Sequence, residues 1–134
     1  MRVEEAVDAG LVDEPRVVTL CAMCYNTLKR ANHLYRNDAD KRRVIESIME
    51  RESRPYGGKA EVIHLLQLLK EVGWEKVSER VEKPLEGLKI APYYGCLLLR
   101  PRGFGVDDPE EPRIMENLIE ALGGEVVDIP FKSR

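Results

Sequence analysis

The sequence predicts an α/β fold: a mostly parallel sheet with helices on both faces. Two observations carry that expectation. Short β-rich runs alternate with longer runs of helical period along the chain, the pattern of strand–helix–strand units. Three stretches, 15–20, 88–94 and 125–129, read as strands of such a sheet.

The elements follow in order. Val3, Ala6 and Val7 recur at helical spacing, and Gly10 stands where that helix would end. PRVVTL (15–20) is a β-branched run short enough for a strand. After Cys21 the period turns helical, with Cys24, Leu28, Ala31 and Tyr35 on one face. A second helix is expected over 39–52, with Val44, Ile45, Ile48 and Met49 on one stripe and Asp38 as N-cap. RPYGG (54–58) breaks it. A short strand at 60–63 leads into a helix bearing Leu65, Leu66, Leu68, Leu69 and Val72, which Gly73 ends. Trp74, Val77 and Val81 suggest one more helix. KPLEG (83–87) is a loop, and composition marks a junction at Pro84–Gly87. It introduces the strand LKIAPYY (88–94), then GCLLLRP and the loop RGFGVDDPEEP. Pro112 stands at the expected first helical position, and Ile114, Met115, Leu118, Ile119 and Leu122 form the apolar face of a helix closed by Gly123 and Gly124. EVVDIP (125–130) supplies the last strand.

At 134 residues the chain has the size of one domain and can bury a core without staples. Charged residues make up 34%, yet the net charge is only −3, so both signs are interspersed. That argues against nucleic acid, whose binders accumulate a positive face. No apolar stretch reaches membrane-spanning length and the N-terminus lacks a signal-peptide core, so a cytoplasmic setting is expected. Three cysteines, an odd number in a reducing compartment, favour redox or metal chemistry over a disulfide framework.

Cys21 and Cys24 form a CxxC pair where a strand gives way to a helix. Backbone N–H groups and the positive end of the helix dipole converge there, which favours thiolates. Cys96 follows a second strand, with Gly95 allowing close backbone approach. Ligands gather at the carboxyl ends of parallel strands, so all three cysteines are expected at one sheet edge. Burial as small apolar side chains is the plainer alternative. Three chemistries compete for the pair. A thioredoxin-like dithiol explains CxxC at a strand–helix turn, but no aromatic residue precedes Cys21 and Cys96 would be idle. A zinc site needs a fourth ligand. His33 lies about 13 Å along the helix axis from Cys24, and His64, inside VIHLL, reads as a partly buried histidine. An iron–sulfur cluster uses thiolates but is also short of ligands.

The flanks extend the pattern. VTLCAMCYNTLKRANHLYRND, GLKIAPYYGCLLLRP and DDPEEPRIMENLIEALGGEVVDIPFK together resemble the B subunit of heterodisulfide reductase, the cysteine-rich, CCG-domain family also found in related quinone- and thiol-linked oxidoreductases. The resemblance runs in register over almost the whole chain. The family's polypeptide carries two repeats of Cys–x(n)–Cys-Cys-Gly–x(n)–Cys-x-x-Cys, each holding a non-cubane 4Fe–4S cluster.

The resemblance implies that Cys21 and Cys24 are the closing CxxC of the first repeat and Cys96 the opening cysteine of the second. It implies Rossmann-like half-repeats: residues 1–83 as the C-terminal half of the first CCG repeat, 84–134 as the N-terminal half of the second. The other ligands would fall before Met1 and after Arg134, so neither cluster is complete in this chain. In the intact family the clusters cleave the mixed disulfide of coenzyme M and coenzyme B, with electrons from the iron–sulfur C subunit and the flavin-containing A subunit of heterodisulfide reductase. The resemblance therefore implies a fragment or truncated homologue of an anaerobe's methanogenesis oxidoreductase, inactive alone. The alternative is a zinc-binding or metal-free scaffold module of the same fold. A homodimer is also expected, since each half has lost neighbours of its own repeat.

Other candidates are weaker. Arg100 and Arg102 suit an anionic group or simply the surface. Tyr93 and Tyr94 flank the position of Cys96, and alternation along a strand sends one of them into packing. DDPEE reads as a solvated loop with charges at a helix N-terminus, and KRR (41–43) as a solvated helix face.

Overall fold

The computed structural model describes residues 2–52 and 56–133. In chain order the elements are α1 (Arg2–Asp8), β1 (Arg16–Thr19), α2 (Ala22–Asn37), α3 (Ala39–Met49), β2 (Glu61–His64), α4 (Leu65–Val72), α5 (Trp74–Ser78), β3 (Lys89–Ile90), α6 (Cys96–Leu99), α7 (Ile114–Ala121) and β4 (Glu125–Val126). Helix and strand are mixed, as expected of an α/β chain. By packing, the chain divides into two compact units, Met1–Ile63 and His64–Arg134.

The strands depart from the expected single sheet. Among the described residues they form two two-stranded sheets, β1 with β2 and β3 with β4. The stretch 15–20 therefore does not share a sheet with 88–94 and 125–129. The β3–β4 pair is parallel, with Lys89 opposite Glu125 and Ile90 opposite Val126. Its short length has a local cause. Pro92 has no N–H to donate, so the ladder stops at Ile90, and Ala91–Gly95 continue without regular structure.

In the first unit, α1 ends through a Schellman pair. The N–H of Gly10 bonds to Val7 and that of Leu11 to Ala6, with Gly10 at φ 67°, the left-handed conformation that glycine adopts without strain. Asp38 caps α3 as expected, its carboxylate accepting the N–H groups of Asp40 and Lys41 at 3.0 and 2.9 Å. That helix ends at Met49 rather than 52. Of the expected breaker RPYGG, Arg54 and Pro55 lie outside the described residues.

Helix α2 is rotated away from its apolar period. Tyr25, Asn26 and Asn32 are buried, whereas Cys24, Leu28 and Ala31 of the expected inner face are exposed. The cause is the backbone at 56–60, whose carbonyls need donors. Asn32 Nδ2 donates to Ala60 O at 2.5 Å, and Arg36 donates to Gly58 O at 2.6 Å and Ala60 O at 3.0 Å. The Tyr35 hydroxyl donates to Tyr56 O at 2.8 Å, and Tyr56 donates to Asn32 Oδ1 at 2.5 Å. On α1, the buried Glu4 accepts N–H bonds from Gly57 and Lys59 at 3.0 and 2.7 Å. Burial alone would raise its carboxyl pKa, but those bonds hold it below the usual value. The outward side of α2 and α3 shows Met23, Leu28, Leu34, Val44 and Ile48, each more than two-fifths exposed.

The second unit follows its hydrophobic pattern. Helices α4, α5 and α7 pack on one another, and α7 packs on β4. Leu66, Tyr94, Leu98, Leu99, Val106, Ile114 and Ile119 are buried in this unit. His64 is the N-cap of α4: its Nδ1 accepts the N–H of Leu66 at 3.3 Å, and Gln67 Oε1 accepts the N–H of His64 at 3.0 Å. Helix α7 begins at Ile114, two residues after Pro112, with Arg113 as N-cap. Asp107 accepts the N–H groups of Arg113 and Ile114, both at 2.7 Å, so the capping side chain comes from the preceding loop. Gly123 closes the helix at φ 82°, with Gly123 N–H to Glu120 and Gly124 N–H to Ile119.

Candidate metal centre

Cys21 is the N-cap of α2. Its backbone is extended and its Sγ accepts the N–H of Cys24 at 3.4 Å. A sulfur here takes the place usually filled by a serine or aspartate oxygen, facing the unpaired N–H groups of the first turn. The Cys24 N–H, then the Cys24 side chain, draw the pKa of Cys21 below its usual value. The Cys24 thiol moves the other way, because it is hydrogen-bonded to Cys21 and repelled by charge on it. The pair is therefore asymmetric: Cys21 is the sulfur that gives up its proton more readily, and Cys24 the one that holds it. Both are free and exposed, beside exposed Leu20 and Met23.

Cys96 belongs to the second unit. It is the first residue of α6, a single turn preceded by Gly95, and its thiol is free and exposed. It does not directly follow a strand, since Ala91–Gly95 intervene after β3. The expectation that the three cysteines share one sheet edge therefore fails at its premise: β1 and β3 lie in different sheets. Burial as apolar filler does not describe them either, since all three are exposed.

The other sequence candidates resolve plainly. His33 is exposed on α2, its carbonyl accepting from Asn37 Nδ2 at 2.9 Å. Arg100 pairs with Glu110 at 3.0 Å. Within KRR, Arg42 is not a solvated charge. It donates to the carbonyls of Tyr35 and Arg36 at 2.7 Å each and lies over the Tyr35 ring, tying down the C-terminal end of α2. Asp107 and Asp108 of the acidic run both cap backbone N–H groups. Tyr93 is exposed and Tyr94 buried.

Sequence reasoning missed what Tyr94 meets. Its hydroxyl donates to Glu116 Oε2 and accepts the N–H of Met115 at 2.9 Å, and Lys132 Nζ donates to Glu116 Oε1 at 2.7 Å. Glu116 is 1% exposed. Its burial would raise its pKa, but the bonds from Lys132 and Tyr94 hold it below the usual carboxylate value. Burial and Glu116 together raise that of Tyr94. No local signal announced this: an exposed glutamate on the polar side of α7 is spelled the same way.

As a donor set, Cys21 and Cys24 fit part of a thiolate site. Two exposed sulfurs stand one helical turn apart, one of them with its pKa drawn below the usual thiol value, which suits an iron–sulfur cluster or one half of a tetrahedral zinc site. Among the described residues no three His, Cys, Asp or Glu side chains gather as a metal-holding set.

No family model matches the chain. It is 35% identical over 118 residues to the B subunit of the ferredoxin/F(420)H(2)-dependent CoB-CoM heterodisulfide reductase of Methanosarcina acetivorans, covering 87% of this chain and 39% of that protein. Against a protein of Archaeoglobus profundus described as like the B subunit of heterodisulfide reductase, it is 34% identical over 113 residues, 81% of this chain and 38% of the relative. It is also 37% identical over 120 residues to the membrane anchor polypeptide of the 8-methylmenaquinol:fumarate reductase of Wolinella succinogenes, 88% and 40% of the two chains. In the present chain, no helix among the described residues is long and apolar enough to cross a membrane. The chain spans about two-fifths of the length of these curated relatives. By sequence it is a relative of the heterodisulfide reductase B subunit over most of its own length.

Proposed function

We propose that this chain supplies part of the cluster-binding framework of an iron–sulfur disulfide reductase of the heterodisulfide reductase B type. Residues 1–83 would be the C-terminal half of a first CCG repeat and 84–134 the N-terminal half of a second, together building the Rossmann-like arrangement of the whole polypeptide. That division follows descent, not packing, and so need not coincide with the compact units. The observation that carries the reading is the exposed, asymmetric CxxC at the head of α2, inside a stretch similar to heterodisulfide reductase B subunits.

In this reading Cys21 and Cys24 hold one non-cubane 4Fe–4S cluster and Cys96 begins the ligand set of another. When bound, the clusters supply electrons and a thiophilic metal surface for cleaving a substrate disulfide. The chain's own residues hold and orient. The N–H groups of Cys24 and Met23 stabilise negative charge on Cys21, and its sequence neighbour Leu20 and Met23 between the cysteines are exposed apolar side chains. Three cysteines cannot complete two cluster sites, so the chain alone does not reduce heterodisulfide. Electron-supplying partners of the heterodisulfide reductase A and C types, and a cytoplasmic setting, belong to the same reading. The apolar outer side of α2 and α3 supports association, either with the rest of such a reductase or with a second copy.

Anaerobic reconstitution with iron and sulfide tests it. The expected result is visible cluster absorbance that disappears in Cys21→Ser and in Cys24→Ser, with no heterodisulfide reduction by the chain alone. A colourless protein carrying stoichiometric zinc would instead establish the scaffold alternative.

A further inference from the structure

Cys96 has an exposed thiol on a segment that is anchored on both sides. Downstream, Leu98 and Leu99 of α6 are buried, the latter at 0% exposure. The N–H of Arg100 bonds to Cys96 O at 2.8 Å, and that of Val106 to Leu98 O at 2.9 Å. Gly105 lies against the backbone of Leu99 so closely that a Cβ there would sit 2.3 Å from the Leu99 carbonyl oxygen. Upstream, Tyr94 is fixed at both ends. Its N–H bonds to Lys132 O at 2.8 Å, and its hydroxyl is held between Glu116 and the Met115 N–H. Gly95, at φ 66°, turns the chain between these anchors.

A carboxylate buried to this degree is costly unless fully partnered. Here Lys132 and Tyr94 partner it, and both bring distant parts of the chain to the residue two before Cys96. A buried apolar residue at 116 would fill the space without fixing Tyr94 in direction. Hydrogen bonds fix direction as well as distance.

We propose that Tyr94, Glu116 and Lys132 are positioning residues for Cys96, a clamp that holds its thiol in one place and orientation for the metal group it helps to ligate. The inference rests on reading Cys96 as a ligand. The clamp itself acts through the backbone: Glu116 and Lys132 orient Tyr94, Tyr94 orients Gly95, and Gly95 sets the start of α6.

The test needs no metal, so its failure is distinct from failure of the cluster reading. In a Cys21→Ser/Cys24→Ser background, a nitroxide is attached to Cys96 of the full chain and its electron paramagnetic resonance spectrum recorded. Tyr94→Phe and Glu116→Ala should each give a several-fold shorter correlation time for the label. Glu116→Gln, which still accepts from Tyr94, should retain most of the original spectrum. Ile119→Val, which loosens α7 without touching the clamp, should leave the spectrum unchanged. The clamp is overturned if the label stays equally ordered in Tyr94→Phe, or if Ile119→Val frees it as much. Should Glu116→Ala fail to fold, Tyr94→Phe against Ile119→Val decides alone.

Discussion

Helices α2 and α7 solve the same problem in opposite ways. In the first unit α2 buries Tyr25, Asn26 and Asn32 and leaves Met23, Leu28 and Leu34 outside. In the second, α7 buries Ile114 and Ile119 and admits one carboxylate, Glu116, with both its oxygens partnered. Apolar burial is worth roughly 25 cal/mol per Å² and is indifferent to direction. A hydrogen bond contributes only about 1 kcal/mol net, but fails when its geometry is lost. Around α2 the first unit is therefore organised by directed hydrogen bonds, beside a small apolar core of Tyr25, Ala60, Val62 and Ile63, and the second by apolar burial with one polar lock. The cysteine pair sits at the head of the helix whose leucines face outward, where a further surface can cover them.

The largest effect expected from this contrast is in the second unit. Ile114→Ala should destabilise it by about 3 kcal/mol, the range for emptying a packed aliphatic site. Trp74, the one tryptophan in the chain, lies in that unit and reports the shift as a lower denaturant midpoint in its emission. Equal acceleration of amide exchange throughout α2 would show that the units do not melt separately, and the contrast would lose its meaning.

Acid should act next. The folded pKa of Glu116 is depressed, so its contribution is present above the unfolded carboxyl value of about 4.3 and fades as pH falls through the lower folded value. Lys132 is raised, so its share is intact below about pH 10.4 and fades only above it. Stability read from Trp74 should thus drop steeply below about pH 4, and less steeply in Glu116→Gln. Identical acid limbs in the two proteins would mean that Glu116 locks nothing.

Asn32→Ala should cost the first unit about 1–2 kcal/mol, since it strips the Tyr56 hydroxyl of its acceptor and Ala60 of one donor. Amide exchange in α2 measures this, and the Trp74 transition should not move. The smallest effect belongs to the outward side of α3. Ile48→Lys should change stability by less than about 0.5 kcal/mol, as at an ordinary exposed site. A larger loss, together with a lower mass by light scattering, would mean that a second copy covers that side.

What was legible in the sequence was what is local. Asp38 as a cap, Gly10 and Gly123 as helix ends, and the apolar stripe of α7 depend on residues within a turn of one another. Two of the misreadings share one cause, a decision taken elsewhere in the chain, and a third is local. The period in Cys24, Leu28, Ala31 and Tyr35 is real, but the carbonyls of Gly58 and Ala60 claim the neighbouring side of the helix, where Asn32 and Arg36 stand. Glu116 reads as a surface charge until Tyr94 and Lys132 arrive beside it. The stretch 88–94 has strand composition, yet Pro92 interrupts it and leaves Cys96 on a helical turn instead of a strand end. The cysteines as residues worth attention were visible at once. Their asymmetry was not, because it comes from which sulfur meets the N–H of Cys24 in the first turn of α2.

That last contact makes the chain its own indicator. The amide proton of Cys24 points at the sulfur of Cys21, so its nuclear magnetic resonance frequency registers the electron density on that atom. Thiol, thiolate, alkylated sulfur and metal-bound sulfur accept a hydrogen bond with different strength, and each would place this one resonance differently. The occupancy of the site can then be followed in solution without colour, without turnover and without an attached label, from a signal built into the first turn of a helix.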